Sequence, residues 1–310
     1  MKIVFMGTPD FAVPSLDILL KNNYTIAAVV TAPDKPRGRG QQVSFTPVKE
    51  CAMKHSIPVL QPESLKDPQF VSALQELNAD LFVIVAFRIL PKEVYTIPKQ
   101  GSFNLHASLL PKFRGAAPIN WAIITGEKES GVTTFFLQDK VDTGNIIIQD
   151  RTPISESMNA GELHDALSTI GSGTVLKTVQ LIEQGKAVPL PQDNSLASPA
   201  PKIFKETCRI EWNQPAASIH NFIRGLSPYP AAWTMHNGKM IKIYKAQISD
   251  GRPQMSDVRS GTIAATDKIL EIRTADGALE ILEVQQEGKK RMGAEEFLRG
   301  YKFGEGDVLE

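Results

Sequence analysis

The residues best placed to do chemistry are Asn104 and His106, in the run Gly101-Ser-Phe-Asn-Leu-His-Ala-Ser-Leu-Leu-Pro-Lys-Phe-Arg-Gly-Ala-Ala-Pro118. The stretch 102–105 has moderate β propensity, and residues two apart in an extended chain share a face, roughly 7 Å apart. Phe103 and Leu105 then point the other way, toward a core. The strand breaks into Ser108-Leu-Leu-Pro111, an apolar loop closed by a proline that cannot donate to a ladder. A carboxamide can hold a developing oxyanion, and an imidazole can take a proton from a nucleophile. Beside an apolar loop, the pair suits acyl transfer. Such pairs are common at strand ends, where the Asn makes a turn and the His satisfies a backbone carbonyl, and on these two residues alone that reading is the better one. A neutral histidine base works better with an anion on its second ring nitrogen. Asp139, Asp142 and Asp150 all follow at suitable distance, and spacing does not choose among them.

The elements that must position these groups read as an α/β fold. Short apolar runs at 3–6, 26–31, 59–60 and 81–86 alternate with helical stretches ending near Leu20 and covering 48–55 and 68–77. Continuous apolar runs predict strands buried on both faces of a mostly parallel, Rossmann-like sheet. Ligands in such sheets sit beyond the carboxyl ends of the strands, so 86–90 and 104–111 should form one cleft. Gly7 stands alone, without a Gly-x-Gly-x-x-Gly or a Gly-Lys-Ser/Thr, and marks a βα turn rather than a nucleotide loop. A helix at 119–124, strands at 131–137 and 146–149 and a long helix from 159 or 160 to 184 complete a domain over 1–187. A stiff, proline-rich linker follows at 188–206. Over 207–310 the alternation stops. One helix at 216–224 precedes short strands near 232–235, 240–246, 261–265, 269–273 and 280–284, which predicts a small, OB-like β-barrel.

The chain has 310 residues, 42% of them hydrophobic and 22% charged, and carries no formal net charge. That balance excludes unspecific coating of a polyanion but not a local basic track. Such tracks are on offer at Lys35, Arg37 and Arg39, at Lys202, Lys205 and Arg209, and at Lys289, Lys290 and Arg291. The loop containing Lys35, Arg37 and Arg39 is expected to be mobile and to clamp a phosphate backbone. Cys51 and Cys208 lie far apart, with neither a Cys-x-x-Cys nor a histidine in metal spacing, so no zinc site is expected and a reducing compartment fits. The apolar start is too short for a secretory signal and no stretch approaches a membrane span, which predicts a cytoplasmic chain. We expect a monomer.

Asn-Leu-His-Ala-Ser-Leu-Leu-Pro-Lys-Phe-Arg-Gly-Ala-Ala-Pro-Ile at 104–119 resembles the signature of the 10-formyltetrahydrofolate-dependent formyltransferases. Val-Asp-Thr-Gly-Asn at 141–145 is similar to that family's Asp-Thr-Gly turn. The resemblance thus implies a catalytic set of Asn104, His106 and Asp142, with 10-formyltetrahydrofolate as formyl donor and no metal. It implies a pterin held by main-chain groups of Ser108, Leu109, Leu110 and Pro111, with a second wall at Phe87, Arg88, Ile89 and Leu90. The short Arg-Ile-Leu in that wall looks more like the members that formylate glycinamide ribonucleotide.

The opening Met-Gly-Thr-Pro-Asp-Phe-Ala-Val-Pro-Ser at 6–15, with Arg-Gly-Arg-Gly at 37–40 and Thr-Pro-Val-Lys at 46–49, resembles instead the members that act on initiator methionyl-tRNA. So do Arg-Ile-Glu-Trp at 209–212, Ile-Arg-Gly-Leu-Ser-Pro-Tyr-Pro-Ala-Ala-Trp at 223–233 and the segment 288–299. The resemblance then makes the three basic tracks contacts for tRNA, with Arg39 nearest the methionine. Sugar-nucleotide and glycinamide ribonucleotide formyltransferases share the catalytic domain. A non-catalytic tRNA-binding protein is the alternative from another class.

Overall fold

A computed structural model of the protein describes residues 1–37, 42–249 and 259–310. They form two compact units that interleave in sequence. The first holds 1–115, 130–152 and 164–200, and the second holds 116–129, 153–163 and 201–310. Among the described residues no helix is long and apolar enough to cross a membrane.

The first unit is built on a seven-stranded sheet of β1 (Lys2–Gly7), β2 (Thr25–Val30), β3 (Val59–Leu60), β4 (Leu81–Val85), β5 (Ser102–His106), β6 (Glu129–Phe136) and β7 (Ile146–Pro153). Its order is β7-β6-β5-β4-β1-β2-β3. The pairs β1–β2, β1–β4, β2–β3 and β4–β5 are parallel, whereas β5–β6 is antiparallel. All five residues of β4 are buried, as the unbroken apolar run requires of a strand covered on both faces. Helices α1 (Val13–Lys21), α2 (Pro47–Lys54), α3 (Pro68–Glu76) and α4 (Lys92–Tyr95) fall between strands. Two of them start where side-chain chemistry sets the first turn. Thr46 accepts from Lys49 N at 3.1 Å ahead of Pro47, and Asp67 accepts from Gln69 N at 3.0 Å ahead of Pro68.

The second unit carries the expected small β-barrel. Strands β8 (Ala232–His236), β9 (Lys239–Ile248), β10 (Ile263–Ala265), β11 (Leu270–Arg273) and β12 (Ala278–Gln286) run antiparallel in the order β8-β9-β12-β11-β10, with Met292–Gly293 added beside β12. The helix α7 (Ala216–Leu226) buries Ala216, Ile219, Ile223 and Leu226, an apolar stripe at helical spacing, in the core that the strands share. Helix α5 (Pro118–Ile124) joins that unit, with Asn120 Nδ2 donating to Gly225 O at 2.8 Å. The long helix α6 (Ala160–Glu183) opens with a reciprocal cap: Asn159 N donates to Glu162 and Glu162 N to Asn159 Oδ1. The last helix is α8 (Ala294–Gly300).

Candidate active site

Strand β5 sits where the sheet changes from parallel to antiparallel, with Asn104 beside Ile84 on one side and Phe135 on the other. Phe103 is fully buried and Leu105 nearly so. Burying such a side chain is worth roughly 2–3 kcal/mol, and that anchoring holds the strand's register. A register slip would turn Asn104 and His106 into the core. The Asn104 carboxamide is half-buried and makes no hydrogen bond among the described residues, which leaves both its N–H donors for a substrate.

His106 is buried, and its Nε2 lies 2.8 Å from the carbonyl oxygen of Phe113. A carbonyl only accepts, so Nε2 carries the hydrogen and the lone pair of the neutral ring is on Nδ1. Nδ1 faces Asp142 Oδ2 at 3.8 Å. The arrangement corrects one expectation. The acid does not hold the second ring nitrogen, because the chain bends back at Phe113 (φ +60°) and puts its own carbonyl there. Asp142 instead faces Nδ1, the nitrogen that carries the lone pair.

Of the three acids, geometry brings Asp142 to the imidazole. Asp139 is exposed and accepts from the Tyr95 hydroxyl at 2.6 Å. That bond, with Lys92 nearby, holds its carboxyl below the usual range. Asp150 accepts from Thr174 Oγ1 at 2.6 Å and faces Lys177 at 3.4 Å. Asp142 lies in a turn with φ +55°, in the left-handed region that Asp tolerates better than most residues. Gly144 completes the turn because nothing larger fits: a Cβ there would meet Phe136 O at 1.7 Å. The carboxylate Oδ2 accepts from Gly115 N at 2.9 Å.

Gln192, which the sequence reading passed over, clasps the same turn. Its Nε2 donates to Asp142 O at 2.9 Å and Gly144 O at 2.8 Å, while its Oε1 accepts from Arg114 Nε at 3.1 Å and Nη2 at 2.6 Å. The one available signal was a polar Gln-Asp-Asn interrupting a proline-rich stretch. The segment read as a linker is hydrogen-bonded to the first unit as far as Ala200, where Pro199–Ala200 pairs in parallel with Arg114–Gly115.

The loop 108–111 is stitched to the sheet. Thr133 Oγ1 donates to Ser108 O at 2.6 Å and accepts from Leu110 N at 3.1 Å, and Gln149 Nε2 donates to Leu110 O at 2.8 Å. Those main-chain groups are therefore committed to β6 and β7. Gly131 lets the loop sit down, since a Cβ there would meet Leu109 Cδ2 at 2.5 Å. At 87–90, by contrast, the main-chain groups make no hydrogen bond among the described residues. Ile89 is 74% exposed beside a buried Leu90 and a half-buried Phe87. Free amides flanked by apolar side chains fit a flat heterocycle with a hydrogen-bonding edge. Arg88 donates to Pro62 O at 2.7 Å and Glu63 O at 3.0 Å.

The basic residues are spread over both units. Lys35 and Arg37 belong to a short strand paired antiparallel with Gln42–Ser44, and Arg39 lies outside the described residues. Lys49, from the same cationic segment, is tied to Asp34 and Gln61. Lys202, Lys205 and Arg209 are exposed, with Lys202 over the Phe204 ring and Arg209 over that of Trp233. Lys289 and Lys290 are exposed, while Arg291 is paired with Glu283 and lies 4.4 Å over the Tyr244 ring. Cys51 is less isolated than its sequence neighbours suggest. Its thiol donates to Asp17 at 3.1 Å, and His55, one turn further along the chain, comes within 4.8 Å of both.

A family model described as "Formyl transferase" matches residues 1–179, and "Formyl transferase, C-terminal domain" matches 202–302. The chain belongs to the formyl transferase family. It is 47% identical over 315 residues to a protein of Bacteroides fragilis named methionyl-tRNA formyltransferase, covering 98% of this chain and 96% of that one. The protein of that name in Caldanaerobacter subterraneus subsp. tengcongensis is 46% identical over 312 residues, with both chains covered in full. Among solved structures, an N-formyltransferase from Helicobacter canadensis, in complex with folinic acid and dTDP-3-aminofucose, superposes with a TM-score of 0.68. It is 23% identical, with 94% of this chain and 100% of that one covered, a likeness of fold. A formyl transferase moves the smallest acyl group. Its needs are a donor for the carbonyl oxygen and a base for the incoming amine.

Proposed function

We propose that this formyl transferase moves the formyl group of 10-formyltetrahydrofolate onto the α-amino group of methionine carried by initiator methionyl-tRNA, at the start of translation. The observation that carries this reading is identity of 46–47%, over essentially the whole of both chains, to proteins named for that reaction. The free main chain at 87–90 and the apolar side chains of Phe87, Ile89, Leu90, Leu109, Leu110 and Pro111 would hold the pterin, and the donor supplies an acyl carbon on a nitrogen leaving group.

Asn104 donates to the formyl oxygen as it gains charge during direct attack by the amine. His106 takes the ammonium proton at Nδ1, and Asp142 balances the imidazolium that forms while Nε2–H stays on the Phe113 carbonyl. The N–C bond to methionine forms, the N–C bond to the folate breaks, and the departing nitrogen receives the proton that the amine gave up. Losing an oxyanion donor costs on the order of 10²–10³ in turnover, and losing a general base roughly 10²–10⁴.

In this reading 1–187 is the catalytic domain, 188–206 a connecting segment whose first part, to Ala200, is bonded onto that domain, and 207–310 the tRNA-binding barrel of a cytoplasmic monomer. Lys35, Arg37, Arg39, Lys202, Lys205, Arg209, Lys289, Lys290 and Arg291 then meet the nucleic acid. Purified protein given methionyl initiator tRNA and labelled donor should produce formylmethionine, and should leave a nucleotide-linked amino sugar untouched. Asn104→Ala and His106→Ala should keep donor affinity and lose turnover. Either variant within threefold of wild type would remove that residue from the mechanism.

A further inference from the structure

We infer that Gln192, held by Arg114, is a positioning residue for formyl transfer: it sets where the Asp142 carboxylate stands against His106. The inference rests on the reading of His106 and Asp142 as the acid–base pair. A non-glycine residue at φ +55° is strained, and such strain persists where the surroundings over-determine it. Gly144 fixes one end of the turn by its close approach to Phe136 O. Gln192 fixes the rest, with one NH₂ group serving the carbonyls on both sides of Thr143.

The amide of Gln192 has one orientation available. Rotating it would set its NH₂ against the Arg114 guanidinium and its oxygen against two carbonyls. Arg114 is itself placed by its neighbours. Its Nη2 also donates to Asn194 Oδ1 at 2.8 Å, its main-chain N donates to Ser198 O at 2.9 Å, and Phe113 N donates to Ser198 Oγ at 2.9 Å. The three residues 113–115 therefore serve both reacting groups. The Phe113 carbonyl holds the imidazole, the Gly115 amide holds the carboxylate, and the Arg114 side chain holds the glutamine that fixes the carboxylate's own main chain. Gln192 touches the main chain of Asp142 and neither reacting side chain, so it acts through position. The segment 190–200 belongs to the machinery of the site.

Two near-isosteric variants separate positioning from simple anchorage. Gln192→Glu keeps, as a charged pair, the bond to Arg114 but sets a carboxylate oxygen against the carbonyls of 142 and 144. Gln192→Met loses both bonds. Misplacement of a reacting group by about 1 Å costs on the order of 10²-fold. Both variants should therefore lose about that factor in kcat with methionyl-tRNA, while KM for the formyl donor stays within threefold. The thermal midpoint of Gln192→Glu should remain near wild type. A Gln192→Glu enzyme with wild-type kcat overturns the proposal, as does a loss confined to KM. Crystal structures of wild type and Gln192→Met read the separation of Asp142 Oδ2 and His106 Nδ1 whatever the acceptor. It should widen from 3.8 Å by about 1 Å, and an unchanged separation refutes the inference. A wild type that never formylates methionyl-tRNA would sink the functional reading alone, with the crystallographic comparison still deciding this one.

Discussion

Replacing Gly115 with alanine should cripple formyl transfer while leaving a folded protein. Gly115 has φ +127°, where a side chain is strained by roughly 1–3 kcal/mol, and an added Cβ would lie 2.5 Å from Ala200 O. Real Cβ atoms essentially never come closer than 3.0 Å to such an atom, so one of the two main chains must retreat by about half an ångström or more. If the 113–115 segment moves, the Gly115 amide leaves Asp142 Oδ2, now at 2.9 Å, and passes the limit of a useful hydrogen bond near 3.2 Å. If the 199–200 side moves, the bonds that Phe113 N and Arg114 N donate to Ser198 loosen. Either route shifts the carboxylate relative to His106, and we expect kcat to fall by on the order of 10²-fold with KM for the formyl donor unchanged. Gly185→Ala is the control. Its φ is +64° and a Cβ there meets nothing within 4 Å, so it should cost about 1 kcal/mol of stability and no activity. The assay is steady-state formylation beside thermal denaturation for both variants. A Gly115→Ala enzyme with at least a third of wild-type kcat would show that the amide does not hold the carboxylate in its working position.

Burial, and secondarily Arg224, hold the His220 imidazole below its ordinary titration range. The unfolded chain then takes up the proton first as pH falls through about 6.5, so the folded state loses stability on acidification from that point. His220→Phe should show a smaller drop in thermal midpoint between pH 7 and pH 5, and parallel curves would refute the assignment. Burial and the bond to Asp17 push the Cys51 thiol up to about 12, and burial raises Cys208 as well. Neither thiol should react with iodoacetamide at pH 8 until denaturant is added, which mass spectrometry reads directly. Arg39→Ala should raise KM for methionyl-tRNA severalfold and spare the formyl donor, and unchanged tRNA kinetics would remove the 35–49 loop from the interface.

The strands were legible because burial on both faces leaves a continuous apolar signature, as at 3–6 and 81–86. Strand periodicity alone put Asn104 and His106 on one face. Asp142 was not separable from Asp139 and Asp150 by spacing, and family likeness chose it. Nothing local announces which imidazole nitrogen meets the acid, because the deciding group is the carbonyl of Phe113 after a sharp reversal. The prolines of 188–201 suggest a stiff extended chain, but Asn194–Leu196 form a 3-10 turn, and the partners of Gln192 and Ser198 lie far back in sequence, beyond any local periodicity. Family likeness puts Arg88 in the pterin wall, and nothing local announces that its Nη1 and Nη2 donate to the carbonyls of Glu63 and Pro62.

The way the two units share the chain limits how the molecule can be dissected. A cut near residue 190 would carry off the strands and α7 of the barrel but leave behind α5, whose Asn120 side chain caps the Gly225 carbonyl and whose Trp121 Nε1 donates to Pro201 O at 2.8 Å. It would also strip the Arg224 guanidinium of the Ser155 and Met158 carbonyls that surround it. Each fragment would then expose an apolar seam that the intact polypeptide hides, so neither half should be obtainable as a well-behaved product of a single truncation. An exchange of barrels between relatives would have to transplant three separate stretches of sequence together.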